Sequence, residues 1–153
     1  MKLAEALLLR SDQQKKIISL KQRINANVLV QDGDKPSEDP NELLKQVFAL
    51  IQEFQKLSYA IHETNALTKL NDGRSLLALL TLRDEFVEQH KTLTAAISNT
   101  SRESDRYSTR EIKWHKVIPV SSLQKQADDI SLKLRDLNVL IQSSNWKIDL
   151  IDA

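Results

Sequence analysis

Cysteine is absent from the 153-residue chain, which removes disulfide scaffolds, thiolate metal sites and cysteine nucleophiles at once. Glycine occurs only as Gly33 and Gly73, so no glycine-rich phosphate loop can form. Aromatic residues make up 5% of the chain and prolines number three. Long apolar runs are missing too. The longest, Leu76–Leu82, contains Thr81 and falls far short of the ~20 residues that a membrane span requires. At the start, Glu5 interrupts the apolar stretch and Arg10 closes it, too early for a signal peptide. The expectation is a soluble cytoplasmic protein with no membrane span.

No excess of one charge sign is present either: 22 Lys and Arg face 21 Asp and Glu. With 41% apolar and 28% charged residues, the composition is that of one ordinary globular domain. The charges are unevenly spread, however. Residues 1–31 carry six basic against two acidic residues, and residues 32–72 four against eight. Helices drawn from these two blocks attract each other along their flanks. The other use of Lys15, Lys16, Lys21 and Arg23 is a nucleic-acid face. No aromatics are interleaved with them and the chain as a whole is not basic, so no nucleic-acid partner is expected.

What is present is helical periodicity. Segment 2–30 places Leu3, Leu7, Ile17, Leu20, Ile24 and Val28 on one stripe, interrupted at Gln13 and Gln14, with no Pro or Gly inside. After the turn residues Asp32-Gly33-Asp34, Asp39 fits an N-cap, Pro40 the first helical position and Glu42 the third. The helix that follows, 40–69, has a heptad seam of Leu43, Val47, Leu50, Phe54, Leu57, Ile61, Thr64 and Thr68. A second row, Leu44, Phe48 and Ile51, widens the face at its start.

Asn71-Asp72-Gly73 reads as a tight turn, with Ser75 capping a third helix over 75–98. Its seam is Leu76, Leu79, Arg83, Phe86, His90, Leu93 and Ile97. The polar stretch 98–110 breaks the pattern. Residues 111–118 then alternate imperfectly, with Ile112, Trp114 and Ile118 on one face, and predict a short β-strand ended by Pro119, the alternative being a strand-like loop lying on the bundle. Ser121 and Gln124 form a capping box for a fourth helix, 121–148, with the seam Leu123, Ala127, Ile130, Leu134, Leu137, Ile141, Ser144 and Ile148.

The fold class that follows is all-α in the main. It is an elongated antiparallel bundle of four long helices with coiled-coil character, plus the strand near 111–118, in one domain over 1–153. Narrow seams leave apolar surface uncovered, and a lone strand leaves its backbone groups unpaired. Both point to a homo-oligomer, most simply a twofold dimer, with Ile112, Trp114 and Ile118 as candidate interface residues.

Catalytic and metal patterns are missing. The residues three places before His62, His90 and His115 are Tyr59, Val87 and Ile112, so no Glu-x-x-His di-metal motif exists. The stretch His62–Ala66 lacks the second histidine of a zinc-protease helix, and no Gly-x-Ser-x-Gly elbow occurs. No catalytic residue, metal site or cofactor is expected. The polar seam residues remain. Asn65, Arg83, Asp84 and His90 form a candidate cluster that either fixes the register of the helices or holds a small ligand such as an anion, conceivably within an enzyme.

Several stretches together resemble the septicolysin-like family of small bacterial helical proteins. They are Lys2–Leu7, Val30–Pro40, Thr64-Asn65, Asp72-Gly73-Arg74, Arg83-Asp84, Asp105–Ser108 leading into Glu111–Trp114, Arg135–Asn138 and Gln142–Trp146. They span nearly the whole chain. The resemblance implies no established biochemistry. The family name implies a lytic, pore-forming toxin, and thiol-activated lysis cannot apply to a chain without cysteine. The leading expectation is a non-enzymatic, self-associating scaffold or interaction module, with the ligand-binding protein and the toxin as alternatives.

Overall fold

The computed structural model describes residues 1–101 and 113–151. The fold is all-α: α1 (Leu3–Asn27), α2 (Pro40–Leu67), α3 (Leu76–Asn99) and α4 (Val120–Lys147). They are distributed over two compact units, Met1–Leu76 with Gln142–Ala153, and Leu77–Ile141.

In the first unit α1 and α2 form an antiparallel hairpin. Ile17, Leu20 and Ile24 of α1 close on Leu43 and Val47 of α2, with Leu44, Leu50, Ile51 and Phe54 packed around them. These are the stripe and heptad positions at three- and four-residue spacing, which place one apolar face of each helix against the other. Midway along, the stripe fails at Gln13, whose buried Oε1 has no hydrogen-bond partner; the buried Ser58 hydroxyl on α2 has none either.

The turn between the helices is built by Asn27. Its amide donates to the Arg23 carbonyl at 2.8 Å, and its Oδ1 accepts the Glu38 backbone N–H at 3.0 Å. The Arg23 guanidinium completes the clasp on the Glu38 carboxylate, with Nε to Oε2 at 2.9 Å. This is why α1 ends at Asn27 and not at residue 30. Val28, expected on the stripe, lies beyond the helix and is exposed. Asp39 then caps α2, its Oδ1 accepting the Asn41 N–H at 2.9 Å, with Pro40 in the first turn.

Between α2 and α3 the chain turns through Gly73, whose φ of 82° suits glycine. The Asp72 carboxylate accepts both the Arg74 backbone N–H at 3.0 Å and its side chain. An isolated bridge between Lys69 and Ser75 narrows the turn, and α3 starts at Leu76.

The two ends of the chain are tied in the same unit. Leu3 N donates to the Ile148 carbonyl and Leu150 N to the Met1 carbonyl, both at 2.9 Å. Lys2 Nζ stands 2.8 Å from Asp149 Oδ1, and Ile151 N donates to Thr64 Oγ1 at 3.0 Å.

In the second unit the buried residues, among those described, are Leu79 of α3 with Leu123, Ala127, Leu137 and Ile141 of α4. The remaining seam residues of this unit, Arg83, Phe86, His90, Leu93, Ile97, Ile130 and Leu134, are half-buried. α4 begins at Val120, two residues before the Ser122 start that a Ser121 cap requires, because the Pro119 carbonyl accepts the Ser122 and Leu123 N–H groups at 3.1 and 3.3 Å. Ser121 is therefore inside the helix.

The expected strand is corrected. Residues 113–119 form an irregular connection with a bend at Val117–Ile118, and residues 111–112 lie outside the described residues. Among the described residues the only bridges are the isolated Lys2–Asp149 and Lys69–Ser75 pairs. Alternation of β-branched and aromatic residues makes a strand only where one face is buried and a neighbour receives the backbone bonds. Here every residue from Lys113 to Pro119 is exposed, and Pro119 has no N–H to donate.

Candidate functional site

Of the expected polar cluster, Arg83, Asp84 and His90 stand on α3 in the second unit, and Asn65 on α2 in the first. Arg83 and His90 are half-buried on one stripe, two turns and roughly 10 Å apart. Arg83 reaches its neighbour Asp84 at 3.5 Å, the outer limit of a hydrogen bond, and Asp84 itself is exposed.

Of the expected interface residues, Trp114 and Ile118 are 67% and 51% exposed, and Ile112 lies outside the described residues. Trp114 and Ile118 line a hollow of about 460 Å³ together with Ala96, Asn99, Thr100, His115, Lys116, Val117 and Leu123. Val117, at 95% exposure, stands at its mouth. No carboxylate is among the described lining residues.

A second concavity, about 500 Å³, is the open groove between α3 and α4. Its floor is Leu93 and Ile130, and its rim is Glu85, Glu88, Gln89, Thr92 and Gln126. Lys133 lies seven residues beyond Gln126 and therefore on the same side of α4. A smaller hollow of about 260 Å³ on the α1–α2 hairpin has Lys21, Asn25, Leu44 and the exposed Phe48 in its walls.

Three carboxylates are held below their ordinary range by a neighbouring cation: Glu38 by its hydrogen bonds to Arg23, Asp72 by Arg74 and Asp149 by Lys2. All three belong to turns or chain ends of the first unit, where they fix the backbone and touch none of the three concavities. Sequence reasoning missed Asn27, Thr64 and the Lys2–Asp149 pair as organising residues. The local signal available for Asn27 was an asparagine three residues after Ile24, beside the end of the apolar stripe.

Among the described residues no group of three His, Asp or Glu side chains is placed to hold a metal ion, and no helix is long and apolar enough to cross a membrane.

Comparison with known proteins agrees with a helical family to which no biochemistry is attached. A crystal structure described as that of a functionally unknown conserved protein from Corynebacterium diphtheriae is similar over 99% of both chains, with 32% sequence identity and a TM-score of 0.91. No curated protein matches the chain. The family model that matches residues 10–150 is described as a family of unknown function, DUF6847, and its description carries no septicolysin-like or lytic designation. The chain belongs to that family of unknown function.

Proposed function

We propose that the protein is a non-enzymatic, self-associating helical module of the cytoplasm, in which the open α3–α4 groove of one copy meets the same groove of a second. The single observation behind this is the incomplete burial of the seam. Beyond Leu79, no described residue of α3 is buried, although Phe86, Leu93 and Ile97 recur at heptad spacing. Ile130 and Leu134 on α4 are likewise half-covered, between the buried Ala127 and Leu137. Two helices enclose such a seam only from two sides, and helix-bundle cores are closed by further helices.

The rim of the groove is self-complementary in charge. Glu85 and Glu88 edge it on α3, and Lys133 follows the edge of α4. A twofold contact sets α3 of one copy beside α4 of the other and brings those signs together, with each contact made twice. Trp114 and Ile118 line a separate hollow and lie outside this contact.

Binding to nucleic acid is no part of this function. Arg23 is engaged by Glu38, and Lys15 has Asp12 at 3.7 Å. Nor is lysis, since α1 and α2 direct their apolar stripes into the hairpin core; dye release from vesicles tests that directly and is expected to be nil.

Charge exchange across the groove tests the interface. Lys133→Glu is expected to weaken the dimer at least tenfold in sedimentation equilibrium, and Glu85→Lys with Glu88→Lys in the same chain to restore it. All these side chains are exposed, so helicity by circular dichroism stays unchanged. A dimer indifferent to Lys133→Glu and to Thr92→Arg, at the groove rim, contradicts this interface.

A further inference from the structure

We infer that the hollow beside residues 114–118 binds a small amphipathic anion, an apolar body carrying a single carboxylate. The inference does not depend on self-association. At about 460 Å³ the hollow falls within the range of small-molecule sites, ~300–1,000 Å³. Its walls are mainly apolar: Ala96, Trp114, Val117, Ile118 and Leu123. Three of these are large side chains left more than half exposed, and covering them with an apolar ligand is favourable.

The polar groups in the lining select the charge of the ligand. Lys116 supplies an ammonium beside the His115 imidazole, and no Asp or Glu stands among the described lining residues. The first turn of α4, which supplies Leu123, adds the positive end of a helix dipole. Asn99 donates one of its two amide hydrogens to the Ala95 carbonyl at 2.8 Å, and Thr100 donates its hydroxyl hydrogen to the Ile97 carbonyl at 2.7 Å. The second Asn99 amide hydrogen remains a donor for a ligand oxygen, and Lys116 supplies the only ammonium among the described lining residues. A neutral apolar molecule would gain the walls and forgo the ammonium. A cation would meet Lys116 as a like charge.

Trp114 is the reporter. The chain has two tryptophans, and Trp146→Phe at an exposed position leaves Trp114 alone. Titration of this variant with decanoate, below the concentration at which it forms micelles, and in parallel with 4-phenylbutanoate, is expected to give a saturable blue shift of Trp114 emission with one site per chain. Decanoate alone doing so identifies an extended acyl body; 4-phenylbutanoate alone doing so identifies a compact aromatic one. Lys116→Gln is expected to weaken either carboxylate at least tenfold while leaving the weaker response to decanol unchanged. Ala96→Phe, which fills the hollow from an exposed position on α3, is expected to abolish both responses with helicity retained. Several results would overturn the inference: no saturable response up to millimolar concentration, equal affinity for decanol and decanoate, or no effect of Lys116→Gln. A blue shift produced only by phosphatidylglycerol vesicles would also do so, and would make the segment a membrane-surface contact. So would a shift produced only by raising protein concentration, which would make it a contact between copies.

Discussion

The Ile151 amide donates to the Thr64 hydroxyl at 3.0 Å, and the same hydroxyl donates to the Ala60 carbonyl at 2.7 Å. Thr64 is completely buried, so this one side chain joins the tail after α4 to the inner face of α2. Thr64→Val keeps the shape and leaves the Ile151 N–H without its acceptor. The expected loss is about 1–3 kcal/mol of stability in urea denaturation. A loss below ~0.5 kcal/mol, the range of an ordinary surface substitution, contradicts the role of the hydroxyl.

Ser58, less than two turns earlier on the same helix, provides the opposite case. Its hydroxyl is buried and makes no hydrogen bond. Ser58→Ala removes a desolvated polar group that gains nothing in return, and is expected to be neutral or to stabilise by up to about 1 kcal/mol. Destabilisation comparable to that of Thr64→Val would show that the Ser58 hydroxyl is satisfied.

Asn27 holds the α1–α2 turn through two hydrogen bonds, one to each side of the turn. Asn27→Ala leaves the Glu38 N–H unpaired and loosens the seating of Glu38 against Arg23. A cost of about 1–2 kcal/mol is expected. Hydrogen exchange locates the effect: the Glu38 amide should exchange faster, while amides around Leu20 and Val47 change only by the global loss.

The tie between the chain ends depends on pH. Lys2 lowers the Asp149 carboxyl below its ordinary value, as Arg23 does for Glu38 and Arg74 for Asp72. In each case the unfolded chain takes up the proton at higher pH than the folded one. The stabilisation is therefore complete above the ordinary carboxylate range, about pH 4, and is lost as pH falls through the lowered folded values. NMR titration of the three carboxyl carbons should place each midpoint below the ordinary value of its own residue type. Asp149→Asn should reduce the difference in stability between neutral and acid pH and speed exchange of the Leu3 and Leu150 amides. A midpoint for Asp149 at the ordinary aspartate value contradicts the pairing.

The helices were legible in the sequence because each carries its own periodic stripe. Leu43, Val47, Ile61 and Thr64 of α2, and Leu123, Ala127, Leu137, Ile141 and Ser144 of α4, are buried at the spacing that announces them. Asp39 followed by Pro40 marked the start of α2 by local chemistry alone. The strand reading failed because side-chain alternation is local, whereas a strand exists only with a neighbour, and residues 113–118 have no strand beside them among those described. The tie of Lys2 to Asp149 spans almost the whole chain, and no local pattern encodes a pair so distant. The polar cluster was read from seam positions. Positions on a seam fix the face of a helix: Arg83, Asp84 and His90 share α3, and Asn65 stands on α2. The hollow beside Trp114 was hidden because it depends on where an irregular connection lies against the last turn of α3.

Self-association through the α3–α4 groove is tested most directly by sedimentation velocity of the full chain over roughly 1–100 µM, a range that spans the affinities of ordinary protein dimers. A dimer whose population falls when Lys133→Glu is introduced, and returns with Glu85→Lys and Glu88→Lys, is the predicted result. A single monomeric species of 17.5 kDa at every concentration would contradict it.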